Sequence, residues 1–127
     1  MKTILVDAIG TFVNENEGVF VEMQKMLEEF SNRKVILTSA NDEQIKSFGL
    51  DDMPYEVFTL KHNPEKTNPQ YYEMMLEHFN LKAKDVVYFE HNKDAVKSAS
   101  SAGILTHYYD SDKRDLASLK RFLIENL

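Results

Sequence analysis

The sequence predicts an α/β protein with a parallel sheet and helices on both faces. Strand-like and helix-like segments alternate along its 127 residues. The predicted strands cover about residues 3–7, 34–38, 56–60, 85–89 and 103–107. Apolar residues at helical spacing follow each strand. A repeated strand–helix order gives parallel strands through right-handed crossovers. The length is typical of one domain, and we predict a single domain over residues 1–127.

The helices follow from apolar stripes and capping residues. The first is predicted over about residues 16–31. Its apolar residues form one helical stripe, made of Phe20, Met23, Leu27 and Phe30. Polar caps predict where the other four helices begin, near Asn41, Asn68, Asn92 and Ser111. We therefore expect the methionine and aromatic residues on these helices to lie in the core.

Composition excludes several classes of function. The net charge is −6 with no basic stripe, which argues against a general binder of nucleic acid or of anionic membranes. The absence of cysteine excludes disulfides and thiolate metal sites and fits a cytosolic protein. No signal-peptide pattern precedes the first strand, and no apolar run approaches a membrane span. We expect a cytoplasmic protein without a nucleic-acid or membrane partner.

Polar residues follow the ends of several predicted strands. Ligands of open α/β sheets bind outside the carboxyl ends of the strands, and a buried strand has no structural need for an acid such as Asp7 there. The residues at this edge are Asp7, Gly10, Thr11, Thr38, Ser39, Lys66, Glu90 and His91. Such a set of residues suits the binding of an anionic group. Lys66 supplies a positive charge, Thr38 supplies a hydrogen bond, and the turn at Gly10 supplies a cradle of backbone N–H groups.

Four motifs in this order resemble the haloacid dehalogenase-like (HAD) superfamily. The first strand ends in Asp7-Ala8-Ile9-Gly10-Thr11, similar to the family's Asp-x-Asp-Gly-Thr, and the second ends in Thr38. Lys66-Thr67-Asn68-Pro69-Gln70-Tyr71-Tyr72 resembles the family's Lys-Pro-x-Pro-x-x-Tyr. Glu90-His91-Asn92 takes the place of the acidic fourth motif, and Ala99-Ser100-Ser101-Ala102-Gly103 resembles the helix end that follows it. The resemblance covers essentially the whole chain.

The resemblance implies a Rossmann-like sheet with strand order 5-4-1-2-3 and a hydrolase, usually a phosphatase. It implies that Asp7 is the nucleophile, which forms an aspartyl intermediate, with Lys66 as its catalytic partner. The family's phosphate-binding positions correspond to Thr38, Ser39, Lys66, Gly10 and Thr11. Its metal positions, which normally hold Mg²⁺, correspond to Asp7, Ile9, Glu90 and His91.

Two residues depart from the family pattern. Ile9 replaces the acid that protonates the leaving oxygen and then activates water, a function worth roughly 10²–10⁴-fold in rate. His91 replaces a metal-binding acid, and Mg²⁺ prefers oxygen ligands. Asp7, Glu90 and His91 would suit Zn²⁺, Mn²⁺ or Ni²⁺ better than Mg²⁺. The alternative is that no metal binds and that His91 is an ordinary polar loop residue bonded to a neighbour.

The family's L-2-haloacid dehalogenases need no metal and carry Asp-Ala-Tyr-Gly-Thr and Ser-Ser-Asn motifs, which Asp7–Thr11 and Asn92 resemble in outline. Those enzymes enclose their substrate under a helical cap. Here the predicted elements occupy the segments between Asp7, Thr38 and Lys66, so we expect no cap domain. Glu90 would also repel a carboxylate substrate. A dehalogenase is therefore disfavoured.

Two functions remain open at this level. The first is a capless, impaired or atypical phosphohydrolase that uses Asp7 on a phosphorylated substrate. The second is a non-catalytic protein that keeps the fold and binds a protein partner or a phosphate-containing ligand. The retention of Asp7, Thr38 and Lys66 favours the first function. The loss of acids at Ile9 and His91 favours the second.

Overall fold

A computed structural model describes all residues of the chain, 1–127. The main strands are β1 (Thr3–Asp7), β4 (Lys34–Thr38), β5 (Glu56–Thr59), β6 (Val86–Glu90) and β7 (Leu105–Tyr108). Two short strands, β2 (Val13–Asn14) and β3 (Gly18–Val19), form a separate antiparallel hairpin. The helices are α1 (Val21–Leu27), α2 (Asp42–Ser47), α3 (Pro69–Phe79), α4 (Lys93–Ser101) and α5 (Leu116–Asn126). A 3₁₀ turn at Ala83–Asp85 precedes β6.

The main sheet has the order β5-β4-β1-β6-β7, and all of its neighbouring strands are parallel. The labels differ from the expected 5-4-1-2-3 because the two hairpin strands lie between β1 and β4 in the chain. Counted without them, the five main strands have the expected spatial order. The predicted α/β class with a parallel Rossmann-like sheet is confirmed.

The two faces of the sheet bury separate apolar cores. In β1, Ile4 and Val6 belong to the core on one face, whereas Leu5 belongs to the core on the other. This alternation is the period-2 geometry of a strand that is buried on both sides. Helices α1 and α5 supply the first core, and α3 and α4 supply the second. The sheet therefore holds the ends of β1, β4 and β6 rigidly at one edge.

The predicted start of the first helix is wrong. Residues 13–19 form the β2–β3 hairpin, and α1 begins at Val21. Val13 pairs with Val19, and Gly18 takes a φ of 68° that glycine adopts without strain. Met23 and Leu27 of the predicted stripe are fully buried. The helical spacing of the apolar residues thus predicts the buried face of α1 correctly. It does not predict the hairpin that precedes the helix.

The last helix also begins later than predicted, at Leu116 instead of near Ser111. The side chain of Asp110 accepts hydrogen bonds from the backbone N–H groups of Asp112 and Lys113, which favours a turn. Arg114 has a φ of 47°, a left-handed conformation that interrupts a helix. Asp115 then caps α5 at the backbone N–H of Ser118. No helix of the structure has the length and apolarity needed to cross a membrane.

Candidate active site

A cleft of about 220 Å³ opens at the carboxyl ends of the three central strands. Asp7, Thr38 and Glu90 are the last residues of β1, β4 and β6. Lys66 reaches the same place from the loop between β5 and α3. The cleft is lined by these four residues together with Ile9, Ser39 and His91. Gly10 and Thr11 line a neighbouring cavity instead.

The carboxylate of Asp7 lies at the floor of the cleft and is only 1% exposed. Its Oδ1 accepts a hydrogen bond from Lys66 Nζ at 2.5 Å. Its Oδ2 accepts one from Thr11 Oγ1 at 2.6 Å and lies 2.5 Å from His91 Nδ1. Burial alone would raise the pKa of Asp7, but the Lys66 charge and the His91 hydrogen bond outweigh it and hold this pKa well below its usual range. Asp7 is therefore ionised at neutral pH.

Glu90 is bound by the same two basic side chains. Its Oε1 accepts hydrogen bonds from Lys66 Nζ at 2.8 Å and from the Tyr88 hydroxyl at 2.5 Å. Its Oε2 accepts one from the backbone N–H of Asn92 at 3.0 Å and lies 3.3 Å from His91 Nδ1. Two carboxylates thus face two basic groups, Lys66 and His91. Burial lowers the pKa of Lys66, but Asp7 and Glu90 raise it by more, so this amine stays protonated.

His91 contacts both carboxylates and is the most exposed member of this cluster, with a side chain that is 33% exposed. Hydrogen bonds to Asp7 and Glu90 raise its pKa to about 10, against the opposing effect of burial. Its ring lies over Gly10, where a Cβ would come within 2.7 Å of His91 Cε1. Gly10 also has a φ of 91°, which other residues rarely adopt. A side chain at position 10 would therefore both strain the backbone and displace His91.

The pKa of His91 predicts how stability depends on pH. Because its folded pKa is raised from 6.5 to about 10, its contribution is complete below pH 6.5 and disappears as the pH rises through 10. We expect the unaltered protein to have a higher urea midpoint than His91→Gln at pH 6, with the difference vanishing by about pH 11. Urea titrations of both proteins measure this difference. A constant difference over that range would contradict the assigned ion pair.

The phosphate-binding residues expected from the resemblance divide into two groups. Thr38 Oγ1 and Ser39 Oγ accept hydrogen bonds from the backbone N–H groups of Ala40 and Lys66, so each hydroxyl still has a proton to donate into the cleft. The backbone N–H groups of Gly10 and Thr11, in contrast, are bonded to carbonyls within their own turn. The expected cradle at this turn is therefore absent in this conformation. Thr11 binds the Asp7 carboxylate instead.

Two buried tyrosines that the sequence analysis did not assign to the site also support it. Tyr88 lies two residues before Glu90 on β6, so both side chains point to the same face of the sheet, and the hydroxyl reaches Glu90. The hydroxyl of Tyr71 donates to the carbonyl of Thr38 at 2.8 Å and fixes the end of β4. The i, i+2 spacing of Tyr88 and Glu90 was the available signal for the first of these contacts.

Asp7, Glu90 and His91 are also the residues that could hold a metal ion. One ligand atom from each lies within 4.8 Å of the others. However, every carboxylate oxygen of Asp7 and Glu90 already accepts a hydrogen bond from a protein donor. The side chain of Ile9 offers no ligand atom. A cation held by all three residues would have to take the place of the proton that His91 Nδ1 shares with the two carboxylates.

The chain resembles solved structures of known enzymes. A D,D-heptose 1.7-bisphosphate phosphatase from B. bronchiseptica, complexed with magnesium and phosphate, aligns over 100% of both chains with 14% identity and a TM-score of 0.72. A HAD family enzyme from Bacteroides thetaiotaomicron, also in complex with magnesium and inorganic phosphate, aligns over 87% of this chain and 95% of its own, with 13% identity and a TM-score of 0.67.

A third similar structure is a putative beta-phosphoglucomutase from Thermotoga maritima, which aligns over 82% of both chains with 15% identity and a TM-score of 0.59. No protein-family model matches the sequence, and no curated protein matches it. At these identities the likeness concerns the fold. The chain therefore has the Rossmann-like fold of the haloacid dehalogenase-like superfamily.

Proposed function

We propose that this protein is an atypical HAD-type phosphohydrolase that acts through an aspartyl intermediate on Asp7. The observation that carries the proposal is the contact between Asp7 at the end of β1 and Lys66 at 2.5 Å, at the edge of the sheet where ligands of this architecture bind. Similar structures contain phosphate together with magnesium, which supports a phosphate-containing substrate. A carboxylate nucleophile next to a fixed cation suits attack on such an anion.

In the proposed reaction an oxygen of Asp7 attacks the phosphorus atom, and the bond from phosphorus to the leaving oxygen breaks. Lys66 and the free hydroxyl proton of Thr38 stabilise the charge on the phosphoryl oxygens. Water then attacks the aspartyl phosphate and releases inorganic phosphate, which regenerates the carboxylate. Asp7 is 1% exposed and lies beneath His91, whose side chain is 33% exposed. Since Oδ2 of Asp7 is bonded to Thr11 and His91, attack by this oxygen requires the His91 contact to open.

Ile9 makes both steps slow. No side chain at this position can protonate the leaving oxygen or activate the attacking water. General acid–base catalysis of this kind is worth roughly 10²–10⁴-fold, or about 3–5 kcal/mol of barrier. We therefore expect turnover well below that of phosphatases with an acid at this position, and an aspartyl phosphate that persists.

The donor set does not fit Mg²⁺, and the proposed reaction does not depend on this ion. Mg²⁺ requires a nearly octahedral shell of oxygen ligands, but the two carboxylates are held by protein donors and Nδ1 of His91 lies between them. A divalent ion that accepts imidazole, such as Zn²⁺, Mn²⁺ or Ni²⁺, would suit Asp7, Glu90 and His91 better. The cations already present, Lys66 and His91, balance the two carboxylates.

The poor fit of these ligands to Mg²⁺ predicts weak or undetectable binding of Mg²⁺ at millimolar concentrations. We expect stronger binding in the variant His91→Asp. The substitution removes the blocking ring and adds a hard oxygen ligand. Calorimetric titration of both proteins with Mg²⁺ measures the difference, and His107→Asp serves as a control away from the cleft. Tight binding of Mg²⁺ by the unaltered protein would refute the poor fit and favour an ordinary Mg²⁺-dependent enzyme.

The protein also works without a cap domain in this proposal. The segment between β1 and β4 is used by the hairpin and α1, and α3 follows β5 after a short loop. Both places where a cap could be inserted are therefore occupied by short elements. An open cleft of this kind needs the substrate itself, or a protein partner, to exclude water.

The experiment that tests the function is a screen for phosphate-ester hydrolysis in EDTA and with Mg²⁺, Mn²⁺, Ni²⁺ or Zn²⁺. We expect slow turnover that disappears in Asp7→Asn, which keeps the shape of the side chain and removes the nucleophile. Mass spectrometry after denaturation should detect a phosphoryl group on Asp7 in the unaltered protein. Turnover that is unchanged in Asp7→Asn would disprove the assignment of the nucleophile.

A second function is favoured by the complete pairing of Asp7. Its two carboxylate oxygens are both hydrogen-bonded and it lacks an acid partner at Ile9, as expected of a protein that binds a phosphate-containing ligand or a protein partner without catalysis. Binding of inorganic phosphate without hydrolysis or phosphorylation of Asp7 in the same screen would select this function over the first.

A further inference from the structure

The wall of the candidate active site has no free proton donor in place of the missing acid. Ile9 lines the cleft with an apolar side chain. His62 also lines it, but its Nδ1 is bonded to Glu65 Oε1 at 2.8 Å and its Nε2 to Gln44 Oε1 at 2.6 Å. The same Gln44 oxygen accepts a hydrogen bond from the backbone N–H of Asn41, so Nε2 of His62 must be the donor. Both ring nitrogens of His62 are therefore occupied.

The two cations next to Asp7 are engaged as well. Lys66 Nζ lies 2.5 Å from Asp7 and 2.8 Å from Glu90, and Nδ1 of His91 contacts the same two carboxylates. Nε2 of His91 lies over the Gly10 turn, 2.8 Å from the point where a Cβ would stand. The charges of both cations compensate buried carboxylates, which are costly without a partner. A leaving group in this cleft must therefore depart without receiving a proton.

Two carboxamides in the wall offer hydrogen bonds that such a leaving group can accept. Asn92 Oδ1 is held by the backbone N–H groups of Asp94 and Ala95, and Gln44 Oε1 is held by that of Asn41. Both residues line the cleft, and their NH₂ groups donate to no other group of the protein. An amide NH₂ donates hydrogen bonds but does not give up its proton at neutral pH. These donors suit a leaving group that is an anion and only accepts hydrogen bonds, as a carboxylate does.

We propose that the substrate of this site is an acyl phosphate, the mixed anhydride of a carboxylic acid and phosphate. The inference rests on the proposed function of Asp7. A carboxylic acid has a pKa of about 4, against about 10 for a phenol, so a carboxylate leaves at neutral pH without a proton. An oxygen of Asp7 attacks the phosphorus atom, the bond from phosphorus to the acyl oxygen breaks, and its electron pair departs on the carboxylate.

The product of this step is itself an acyl phosphate, because the nucleophile is a carboxylate. One mixed anhydride replaces another, so the transfer is close to thermoneutral and reversible. Transfer from an alkyl ester would instead form an anhydride from an ester, which is unfavourable. Since no acid–base group at Ile9 activates water, hydrolysis does not quickly remove the phosphoryl group. The phosphorylated protein should therefore accumulate with an acyl phosphate and not with an alkyl ester.

The test compares acetyl phosphate, phenyl phosphate and glycerol 2-phosphate as phosphoryl donors to the full-length protein. Mass spectrometry after acid quenching measures the rate at which Asp7 is phosphorylated. Acetyl phosphate should react at least about 10²-fold faster than glycerol 2-phosphate, and Ile9→Asp should raise only the rate with glycerol 2-phosphate by roughly 10²–10⁴-fold. Labelled acetate should exchange into acetyl phosphate, because the transfer is reversible, and this exchange should disappear in Asp7→Asn.

Asn92→Asp tests the donors in the wall. The substitution keeps the oxygen that caps α4 and removes the NH₂ group, so phosphorylation by acetyl phosphate should slow about tenfold, as expected for one hydrogen bond to a charged group. Asn68→Asp is the matched control, since Asn68 caps α3 in the same way and does not line the cleft. Equal effects of the two substitutions would overturn the proposal.

The donor series separates this inference from the proposed function. Phosphorylation of Asp7 by glycerol 2-phosphate or phenyl phosphate at the rate seen with acetyl phosphate, or without any reaction of acetyl phosphate, would overturn the acyl phosphate and leave the phosphohydrolase standing. No phosphorylation of Asp7 by any of the three donors would overturn both.

Discussion

Ile9→Asp should increase phosphatase turnover by roughly 10²–10⁴-fold, the range that a general acid–base group supplies. Ile9 lines the cleft that contains Asp7, two residues further along the chain. A carboxyl group at this position can protonate the leaving oxygen and then remove a proton from the attacking water. The gain should appear in kcat, since the new group acts on the transition states of both chemical steps. Steady-state kinetics with the best ester from the screen measures it.

The matched control is Ile9→Asn, which has nearly the same shape as the aspartate variant but cannot exchange a proton in this way. It should remain as slow as the unaltered protein. Ile9→Asp combined with Asp7→Asn should be inactive, because the added acid has no nucleophile to assist. Equal activities of the aspartate and asparagine variants would show that the missing acid does not limit this protein, and would favour the non-catalytic function.

Lys66→Met should destabilise the protein by about 3–5 kcal/mol, the usual loss when one partner of a buried ion pair is removed. The Lys66 side chain is 13% exposed, and its Nζ lies 2.5 Å from Asp7 and 2.8 Å from Glu90. Methionine preserves the unbranched shape but leaves two nearly inaccessible carboxylates without their shared cation. Urea unfolding near neutral pH measures the loss.

Lys120→Met is the control, because Lys120 pairs with Glu29 at 3.0 Å on the surface and its side chain is 43% exposed. Such exposed pairs contribute about 0–1 kcal/mol. Adding Glu90→Gln to Lys66→Met should recover part of the loss, since it removes one of the stranded charges. If Lys66→Met were no more costly than Lys120→Met, the buried pairing of Lys66 would be refuted.

The local sequence was sufficient to predict the sheet and the residues at its edge. The apolar run of β1 predicts a strand buried on both faces, and its terminal Asp7 is placed at the edge of the sheet by that strand alone. The capping residues Asn41 and Asn68 predicted the starts of α2 and α3, because a cap acts within a few residues of itself. Such features depend on neighbours along the chain.

Features that depend on distant contacts could not be predicted in this way. The β2–β3 hairpin replaces the start of a predicted helix because Val13 and Val19 pair across it. The helical spacing of apolar residues gives no indication of that pairing. His91 was expected either to favour Zn²⁺, Mn²⁺ or Ni²⁺ over Mg²⁺ as a metal ligand or to be a polar loop residue bonded to a neighbour. Its position between Asp7 and Glu90 arises because β1 and β6 are neighbours in the sheet.

The sequence by itself therefore determined that a carboxylate, a cation and hydroxyl groups meet at one edge of a parallel sheet. The tertiary structure decided which groups bind Asp7. Packing brings Lys66 and His91, which lie 59 and 84 positions from Asp7 in the chain, into contact with its carboxylate. Lys66 and His91 saturate the buried carboxylate of Asp7 because an ionised group removed from water must be paired. The carboxylate of Asp7 becomes buried only when the sheet and helices assemble, so this requirement arises from the tertiary structure.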